Sequence, residues 1–142
     1  MMSFEDLHAW KQARLLVRDA YGLCRDTKLG KDWELKDQIQ RAGVSVMTNI
    51  AEGFERTGNQ EKLHFYNIAR ASCGEVRSLL YIVEDNFPHL TAQAIAQRNS
   101  TIGVGKLISG LFTSTKNRES PNIPAILLTI AIPICHTSAI VL

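Results

Sequence analysis

Apolar residues recur at intervals of three and four along most of this chain, and this spacing constrains its fold more than any other feature. An α-helix turns once every 3.6 residues, so the spacing places apolar side chains on one helical face. The clearest run comprises Phe65, Ala69, Ser72, Val76, Leu79 and Val83. The sequence therefore predicts amphipathic helices that bury their apolar faces against one another.

Local signals divide this pattern into separate helices. Ser3 and Asp6 match a capping box, which predicts that a first helix starts there and runs to about Arg25. Asp32 is a suitable N-cap for a second helix, whose apolar face continues to Phe54.

The third and fourth helices have weaker boundary signals. Thr57 or Asn59 is expected to cap the third helix, which should stop near Phe87, just before a proline. Thr91 is predicted to cap a fourth helix that extends to about Thr115. Its apolar positions are taken to be Ile95, Ile102, Leu107, Ile108 and Leu111. Three glycines, Gly103, Gly105 and Gly110, weaken this helix by up to ~1 kcal/mol each relative to alanine.

Short connections between long amphipathic helices favour antiparallel neighbours. The predicted fold is therefore all-α, an antiparallel up-down-up-down four-helix bundle formed by residues 1–118. Residues 119–142 are assigned to an atypical hydrophobic tail, because no Asp, Glu, Lys or Arg follows Glu119. We expect this tail to be irregular, since Pro124, Pro133 and His136 interrupt its apolar run.

Three interpretations of the tail remain open. It packs on the bundle or on a neighbouring molecule, or it is a non-native extension such as the product of out-of-frame translation, or it anchors the protein in a membrane. The interruptions argue against the membrane anchor, because a spanning helix needs about 20 consecutive apolar residues.

The composition excludes a largely disordered or low-complexity chain, and the odd number of cysteines excludes a self-contained disulfide framework. A chain of 142 residues, 45% hydrophobic and 21% charged, is typical of one soluble globular domain. Its net charge of +2 is too small to indicate nucleic-acid binding by itself. The three scattered cysteines and the polar N-terminus, which has no apolar leader, indicate a reducing, cytoplasmic compartment.

The sequence offers no convincing catalytic or metal site. Two Glu-x-x-His pairs resemble those of di-iron carboxylate bundles, namely Glu5 with His8 and Glu61 with His64. Such a site also needs an inward Glu from each remaining helix. Glu52 is available on the second helix, but no acidic residue lies between Thr91 and Thr115. Cys24 and Cys73 fall on or beside apolar faces, where a thiol acts as a small hydrophobe. We therefore predict no metal, no cofactor and no enzymatic activity.

A basic stripe is the better functional candidate. Arg70 and Arg77 lie seven residues apart on one face of the third helix, with Tyr81 on the same stripe. Repeated cations bind phosphates, and aromatic rings stack on bases. The alternative is an ordinary solvated or ion-paired helix face.

The hairpin of the second and third helices also predicts a polar ladder at the edge of the core. Facing residues should have numbers that sum to roughly 114–116 in an antiparallel pair. This register places Arg41 opposite Glu75, and Arg70 near Ser45 and Asn49.

The stretch from Gln40 to Arg56 resembles the RA-x-x-S-x-x-x-NIAEG-x-x-R signature of the 23S rRNA-intervening sequence proteins. Phe4-Glu5-Asp6-Leu7 followed by Trp10 and Ala13 resembles the opening of that family. Phe65-Tyr66-Asn67-Ile68-Ala69-Arg70-Ala71-Ser72 with Glu75 resembles its third-helix motif. The resemblance covers about residues 3–115, in the family's order and spacing.

The resemblance implies an all-α bundle that assembles as a ring-like homopentamer, without enzymatic activity or a cofactor. Family members are encoded inside intervening sequences of bacterial large-subunit rRNA genes or stand alone. A related branch is the accessory protein of diversity-generating retroelements, which binds a reverse transcriptase and nucleic acid. Carried over by position, the signature residues here are Arg41, Ser45, Asn49, Glu52, Gly53, Arg70, Ser72 and Glu75.

Two functional hypotheses follow. The first is a non-enzymatic oligomeric accessory protein that associates with structured RNA or DNA, with candidate contact residues Arg70, Arg77, Arg98 and Lys106. The second is a homo-oligomeric protein–protein scaffold without nucleic-acid contact, in which the same arginines pair between helices or subunits. Under either hypothesis the signature residues fix the register and geometry of assembly, because buried or interfacial polar groups must be paired.

Overall fold

The computed structural model describes residues 1–118, which form four long α-helices and no β-strand. The helices are α1 (His8–Leu23), α2 (Trp33–Glu55), α3 (Asn59–Asn86) and α4 (Thr91–Asn117). Each packs against the next along the chain, and α4 also packs against α1, which closes the bundle. The predicted antiparallel four-helix bundle is confirmed. The predicted tail, residues 119–142, lies outside the described residues.

The first helix starts later than predicted. The Ser3 amide does donate to Asp6 Oδ2 at 2.9 Å, but this pair caps a separate 3-10 turn at Phe4–Asp6. Leu7 then adopts an extended conformation, so the α-helix begins at His8. The prediction for α2 is confirmed, because Asp32 Oδ1 accepts a hydrogen bond from the Leu35 amide at 3.1 Å.

The predicted side-chain caps of α3 and α4 are wrong. Gly58 occupies the N-cap position of α3, and no side chain caps that end. The Thr91 hydroxyl instead donates to the Pro88 carbonyl at 2.9 Å, within the 3-10 turn that precedes α4. The end of α3 agrees with prediction, since the helix stops at Asn86.

The core forms where the apolar faces of all four helices meet. The predicted positions of α2 from Leu35 to Ile50 are buried, as are most of those on α1 and α3. The largest fully buried side chains include Leu16, Leu29, Ile39, Ile50, Leu80 and Ile108. Each contributes about 1.5–3 kcal/mol relative to an exposed position, so this shared core stabilises the bundle.

The inward face of α4 differs from the prediction. Ile95 and Ile102 are 39% and 41% exposed, whereas the buried positions of the helix are Ala94, Gln97, Thr101, Val104, Ile108 and Thr115. Gln97 Nε2 donates to the Asp19 carbonyl at 2.7 Å, and Thr101 Oγ1 donates to the Arg98 carbonyl at 2.6 Å. Hydrogen bonds to the main chain thus permit polar side chains on this inward face. Ile108 is buried as predicted, and Leu107 and Leu111 pack partly buried against the core, so the prediction is wrong for Ile95 and Ile102.

At Gly53 the side chains of α3 pack directly against the backbone of α2. A Cβ atom at this position would lie 2.6 Å from Tyr66 Cε1 and 3.2 Å from Phe65 Cβ, closer than van der Waals contact allows. Tyr66 is buried, so its ring cannot move away freely. The glycine therefore lets the Tyr66 ring pack directly on the backbone of α2.

Replacing Gly53 with alanine should destabilise the protein. We expect G53A to lower the free energy of unfolding by about 1–3 kcal/mol, because the added methyl overlaps Tyr66. G110A is the matched control: Gly110 is a helical glycine, and a methyl added there would have no atom within 4 Å, so the change should stabilise by up to ~1 kcal/mol. Urea unfolding measures both, and equal effects of the two variants would contradict this account of packing.

Asp26 links two interhelical connections that meet at one end of the bundle. Its Oδ1 accepts hydrogen bonds from the Lys28 and Leu29 amides at 2.9 Å, and its Oδ2 lies 3.0 Å from His89 Nε2. The Leu29 hydrogen bond is the main reason that the pKa of Asp26 lies below its usual 3.8, with His89 contributing and partial desolvation opposing. The carboxylate thereby joins the α1–α2 connection to the turn before α4.

The lowered pKa of Asp26 predicts a contribution to acid sensitivity. The folded state holds this proton less tightly than the unfolded chain, so the carboxylate stabilises the fold above pH ~4, and this contribution is lost as the pH falls further. D26N should therefore reduce stability at pH 7 and flatten the acid limb of a stability–pH curve. D85N is the control, because Asp85 is exposed and has no hydrogen-bond partner within residues 1–118. An unchanged acid limb in D26N would contradict the assignment.

Candidate nucleic-acid interface

An open groove of about 370 Å³ lies between α3 and α4, and we call it the basic groove. Arg70 and Arg77 line it from α3, and Lys106 lines it from α4. None of the described residues that line it is acidic. The structure thus brings together three of the four cations that the sequence proposed as contact residues.

The three cations are displayed to solvent along the groove. Arg70 and Arg77 are two helical turns apart, which corresponds to about 10.5 Å along the axis of α3. Arg70, Arg77 and Lys106 are all exposed residues. Within the described part of the chain, Arg77 and Lys106 have no hydrogen bond or ion pair. Their charges are therefore available to an anionic ligand.

Arg70 is held in place at one end of the groove. Its Nη2 donates to Asn67 Oδ1 at 2.9 Å, and its guanidinium carbon lies 5.5 Å from the centre of the Phe112 ring. These contacts are with α3 itself and with α4. The predicted position beside Ser45 and Asn49 is therefore wrong, because Arg70 projects from the side of α3 that faces α4.

Arg98 differs from the other three candidates. Its Nη2 lies 2.7 Å from Glu84 Oε2, and its guanidinium carbon lies 4.0 Å from the centre of the Tyr81 ring. Its side chain is only 18% exposed, and it is not among the residues that line the basic groove. For Arg98, the alternative of an ion-paired helix face therefore applies.

Glycines line the basic groove on both sides, Gly74 from α3 and Gly105 from α4. A Cβ atom at Gly74 or Gly105 would have no atom within 4 Å, so packing inside the bundle does not require glycine at either position. Cys73 also lines the groove, and burial raises the pKa of its thiol to about 11. This thiol is protonated at neutral pH and is not a nucleophile. The groove therefore offers space and positive charge, without a reactive group at Cys73.

Part of the predicted polar ladder exists between α2 and α3. Ser45 Oγ and Ser72 Oγ are 2.8 Å apart, and Asn49 Nδ2 donates to the Ser45 carbonyl at 2.8 Å and to Ser45 Oγ at 3.1 Å. Ser72 is 6% exposed, so its hydroxyl depends on this protein partner. The cluster links two helices at a fixed register.

The rest of the ladder does not form. Arg41 pairs with Asp37 on its own helix at 2.8 Å, and Glu75 is exposed and has no partner within residues 1–118. The predicted Arg41–Glu75 pair is wrong for two reasons. Ser45 meets Ser72, which is further along α3 than the predicted register allows, and Asp37 is one helical turn from Arg41 and is the nearer partner.

The eight signature residues fall into three groups. Four support the packing of α2 on α3: Ser45, Asn49, Gly53 and Ser72. Arg41, Glu52 and Glu75 are exposed, with Glu52 paired to Arg56 on the same helix. Arg70 lines the basic groove. The first group therefore joins two helices, whereas Arg41 and Glu52 pair only with residues one helical turn away.

Removing one serine of the Ser45–Ser72 pair should leave the other hydroxyl without its partner. For S45A, which strands the buried Ser72 hydroxyl, we expect a loss of about 1–3 kcal/mol in the free energy of unfolding. The double variant should lose less than the sum of the two single variants. S78A, which removes an exposed serine of α3, serves as the control. Strictly additive losses in urea unfolding would show that the two hydroxyls do not interact.

The described residues do not meet the requirements of a metal site or a membrane span. Within residues 1–118, no three His, Cys, Asp or Glu side chains come close enough to hold a metal ion. His8 and His64, which belong to the two Glu-x-x-His pairs, are exposed. None of the helices in this part of the chain is both long enough and apolar enough to span a bilayer.

The sequence model of one protein family, described as 23S rRNA-intervening sequence protein, matches residues 5–110. The chain belongs to this family. The match includes all of α1, α2 and α3 and most of α4, and every residue of the basic groove lies inside it. No curated protein sequence matches the chain.

Sequence reasoning missed several residues of the groove in this family member. Ile102, Gly105 and Ser109 all line it, but in the sequence Gly105 indicated only a weak helix and Ile102 a core position, whereas Gly74 falls on the same stripe of the third helix as Arg70 and Arg77. The useful signal was the position of Gly105 directly before Lys106. Interpreting that signal requires the register of α4 against α3, which short-range patterns do not supply.

Proposed function

We propose that this protein is a non-enzymatic accessory protein that binds nucleic acid through the basic groove. One observation carries the proposal: Arg77 and Lys106 line the same groove from different helices, and neither has an acidic partner among the described residues. A groove lined by cations without acidic partners has a positive potential, which attracts phosphate groups.

The spacing of the cations favours a polymeric anion. The ~10.5 Å between Arg70 and Arg77 along the helix axis is too long for both to contact one phosphate group. A chain of phosphates, however, meets both arginines in succession and Lys106 from the other side. This is the arrangement by which Lys and Arg contribute sequence-independent affinity for nucleic acids.

We further propose that the protein acts as a cytoplasmic homo-oligomer, with the family's pentamer as the expected state. Exposed apolar side chains support self-association, because Trp33 is 74% exposed and Ile82 is 45% exposed. Arg41 and Glu75 are exposed signature residues that form no hydrogen bond or ion pair to another helix within residues 1–118, which is consistent with contacts between subunits. Five copies would also multiply the number of basic grooves.

The second candidate function is a homo-oligomeric protein–protein scaffold. The ion-paired Arg98 favours it, since this residue forms the intramolecular ion pair with Glu84 that the scaffold hypothesis expects. A reverse transcriptase, proposed by analogy with the retroelement accessory proteins, would be a partner for either function. The absence of catalysis is part of both proposals, and the protonated thiols of Cys24 and Cys73 are consistent with it.

Neutralising the groove should weaken nucleic-acid binding in a salt-dependent way. We expect R77Q/K106Q to lose most of its affinity for structured RNA and for duplex DNA with unpaired ends, measured by electrophoretic shift over a salt series. Each cation removed should lower the slope of log K against log salt by about 0.7–0.9. K11Q/K31Q is the matched control, because it removes two exposed lysines that do not line the groove.

Each outcome separates the two candidate functions. Equal losses in R77Q/K106Q and in the control would place binding outside the basic groove. No binding by the native protein even at low salt, combined with a stable oligomer in light scattering, would favour the scaffold.

A further inference from the structure

We propose that the ligand of the basic groove is a single-stranded segment of nucleic acid, and that Tyr81 is the platform on which one of its bases stacks. This inference rests on the function proposed above and specifies the ligand class of the same site. Tyr81 has an exposed aromatic ring on α3, one turn beyond Arg77, and phosphate binding alone gives this ring no role.

Tyr81 is displayed in an unusual way. Tyr81 is 49% exposed, although large aromatic residues are normally more buried. Arg98 lies over the ring at 4.0 Å and is itself only 18% exposed. Since Arg98 is more buried than Tyr81, its guanidinium covers the side of the ring that faces the protein, and the opposite side of the ring faces solvent.

The ring is also held in position. Arg98 pairs with Glu84 at 2.7 Å, and Glu84 is on α3, one turn from Tyr81. The Arg98 guanidinium, which belongs to α4, thus contacts both the ring and a carboxylate of α3. A ring that is already ordered loses little conformational entropy when a base stacks on it, which favours binding. The Arg98 charge that is unavailable to phosphate therefore has a role in supporting the stacking platform.

The position of Tyr81 relative to the cations fits a nucleotide strand. Tyr81 follows Arg77 by four residues, about 6 Å along the helix axis. A strand whose phosphate contacts Arg77 can therefore reach the ring with an adjacent base. Ile102, which is 41% exposed and lines the groove, provides an apolar contact for a sugar or base between them.

A duplex does not use these features. Its bases stack on each other inside the helix, and only their edges are accessible from the grooves. Its width also exceeds that of a groove between two packed α-helices, whose axes are ~8–10 Å apart. A single strand exposes both phosphates and base faces, and proteins bind such strands by combining basic grooves with aromatic stacking. Unpaired loops and ends of a structured RNA meet the same requirement.

The test compares strand and duplex binding by fluorescence anisotropy with the full chain. The probes are a labelled unstructured RNA, the DNA of the same sequence, and each strand annealed to its complement. We expect at least one single strand to bind about tenfold more tightly than its duplex, and the RNA and DNA arms show whether the 2′-hydroxyl matters. This comparison needs no variant, so it does not depend on the folding of a mutant.

Variants then locate the platform. Y81L should weaken single-strand binding about tenfold, leave duplex binding unchanged and keep the native salt slope, because it removes a ring and no charge. Y81F should retain native affinity. Y21L is the matched control, since Tyr21 is 39% exposed on α1 and does not line the basic groove.

The outcomes distinguish this inference from the proposed function. Equal affinity for strand and duplex, or native strand binding by Y81L, overturns the stacking platform, while salt-dependent binding through Arg77 and Lys106 would still support the proposed function. Binding to neither form overturns both. A loss in Y21L equal to that in Y81L also overturns the inference, because it would place the stacking site elsewhere.

Discussion

The direct packing of α3 on α2 is the interaction on which the rest of the structure depends. Gly53 admits the Tyr66 ring against the backbone of α2, and the Ser45–Ser72 hydrogen bond joins the same two helices further along. Together these contacts fix both the register and the rotation of α3. Arg77 lies more than a third of a turn around α3 from Ser72, so this rotation directs the basic stripe towards α4. Residues inside the fold thereby position residues that face a ligand.

The distribution of acidic residues explains why the basic groove remains charged. Arg41 and Arg56 each have a carboxylate one helical turn away on their own helix, and both form ion pairs. From Asn86 to Arg118 the sequence contains no Asp or Glu, so α4 supplies no partner for its own Lys106 or for Arg77 across the groove. Arg98 is the exception, because Glu84 reaches it from α3. The lack of acidic residues in this part of the sequence therefore leaves the surface between α3 and α4 positively charged.

The parts of the fold that the sequence predicted are those determined by local periodicity. The inward faces of α2 and α3 followed from the spacing of residues such as Ile39 and Val76, and both are fully buried. The inward face of α4 was predicted only in part. Ile108 is buried as expected, but Gln97 and Thr101 also point inward, where they form hydrogen bonds to main-chain carbonyls, and Ile102 is exposed. The site shows the same division. The shared face of Arg70 and Arg77 was predicted from their spacing within one helix. The pairing of Arg98 with Glu84 depends on a contact between two helices, which that spacing does not reveal.

The most direct test of the account is an amide chemical-shift titration of the isotopically labelled full chain with an unstructured RNA oligonucleotide. Gly74 and Gly105 lie on opposite walls of the basic groove and serve as reporters, with Gly53 in the α2–α3 contact as an internal reference. The account predicts that the Gly74 and Gly105 signals shift together and saturate, while the Gly53 signal stays in place. Saturable shifts confined to α1 and α2, with Gly74 and Gly105 unchanged, would contradict it.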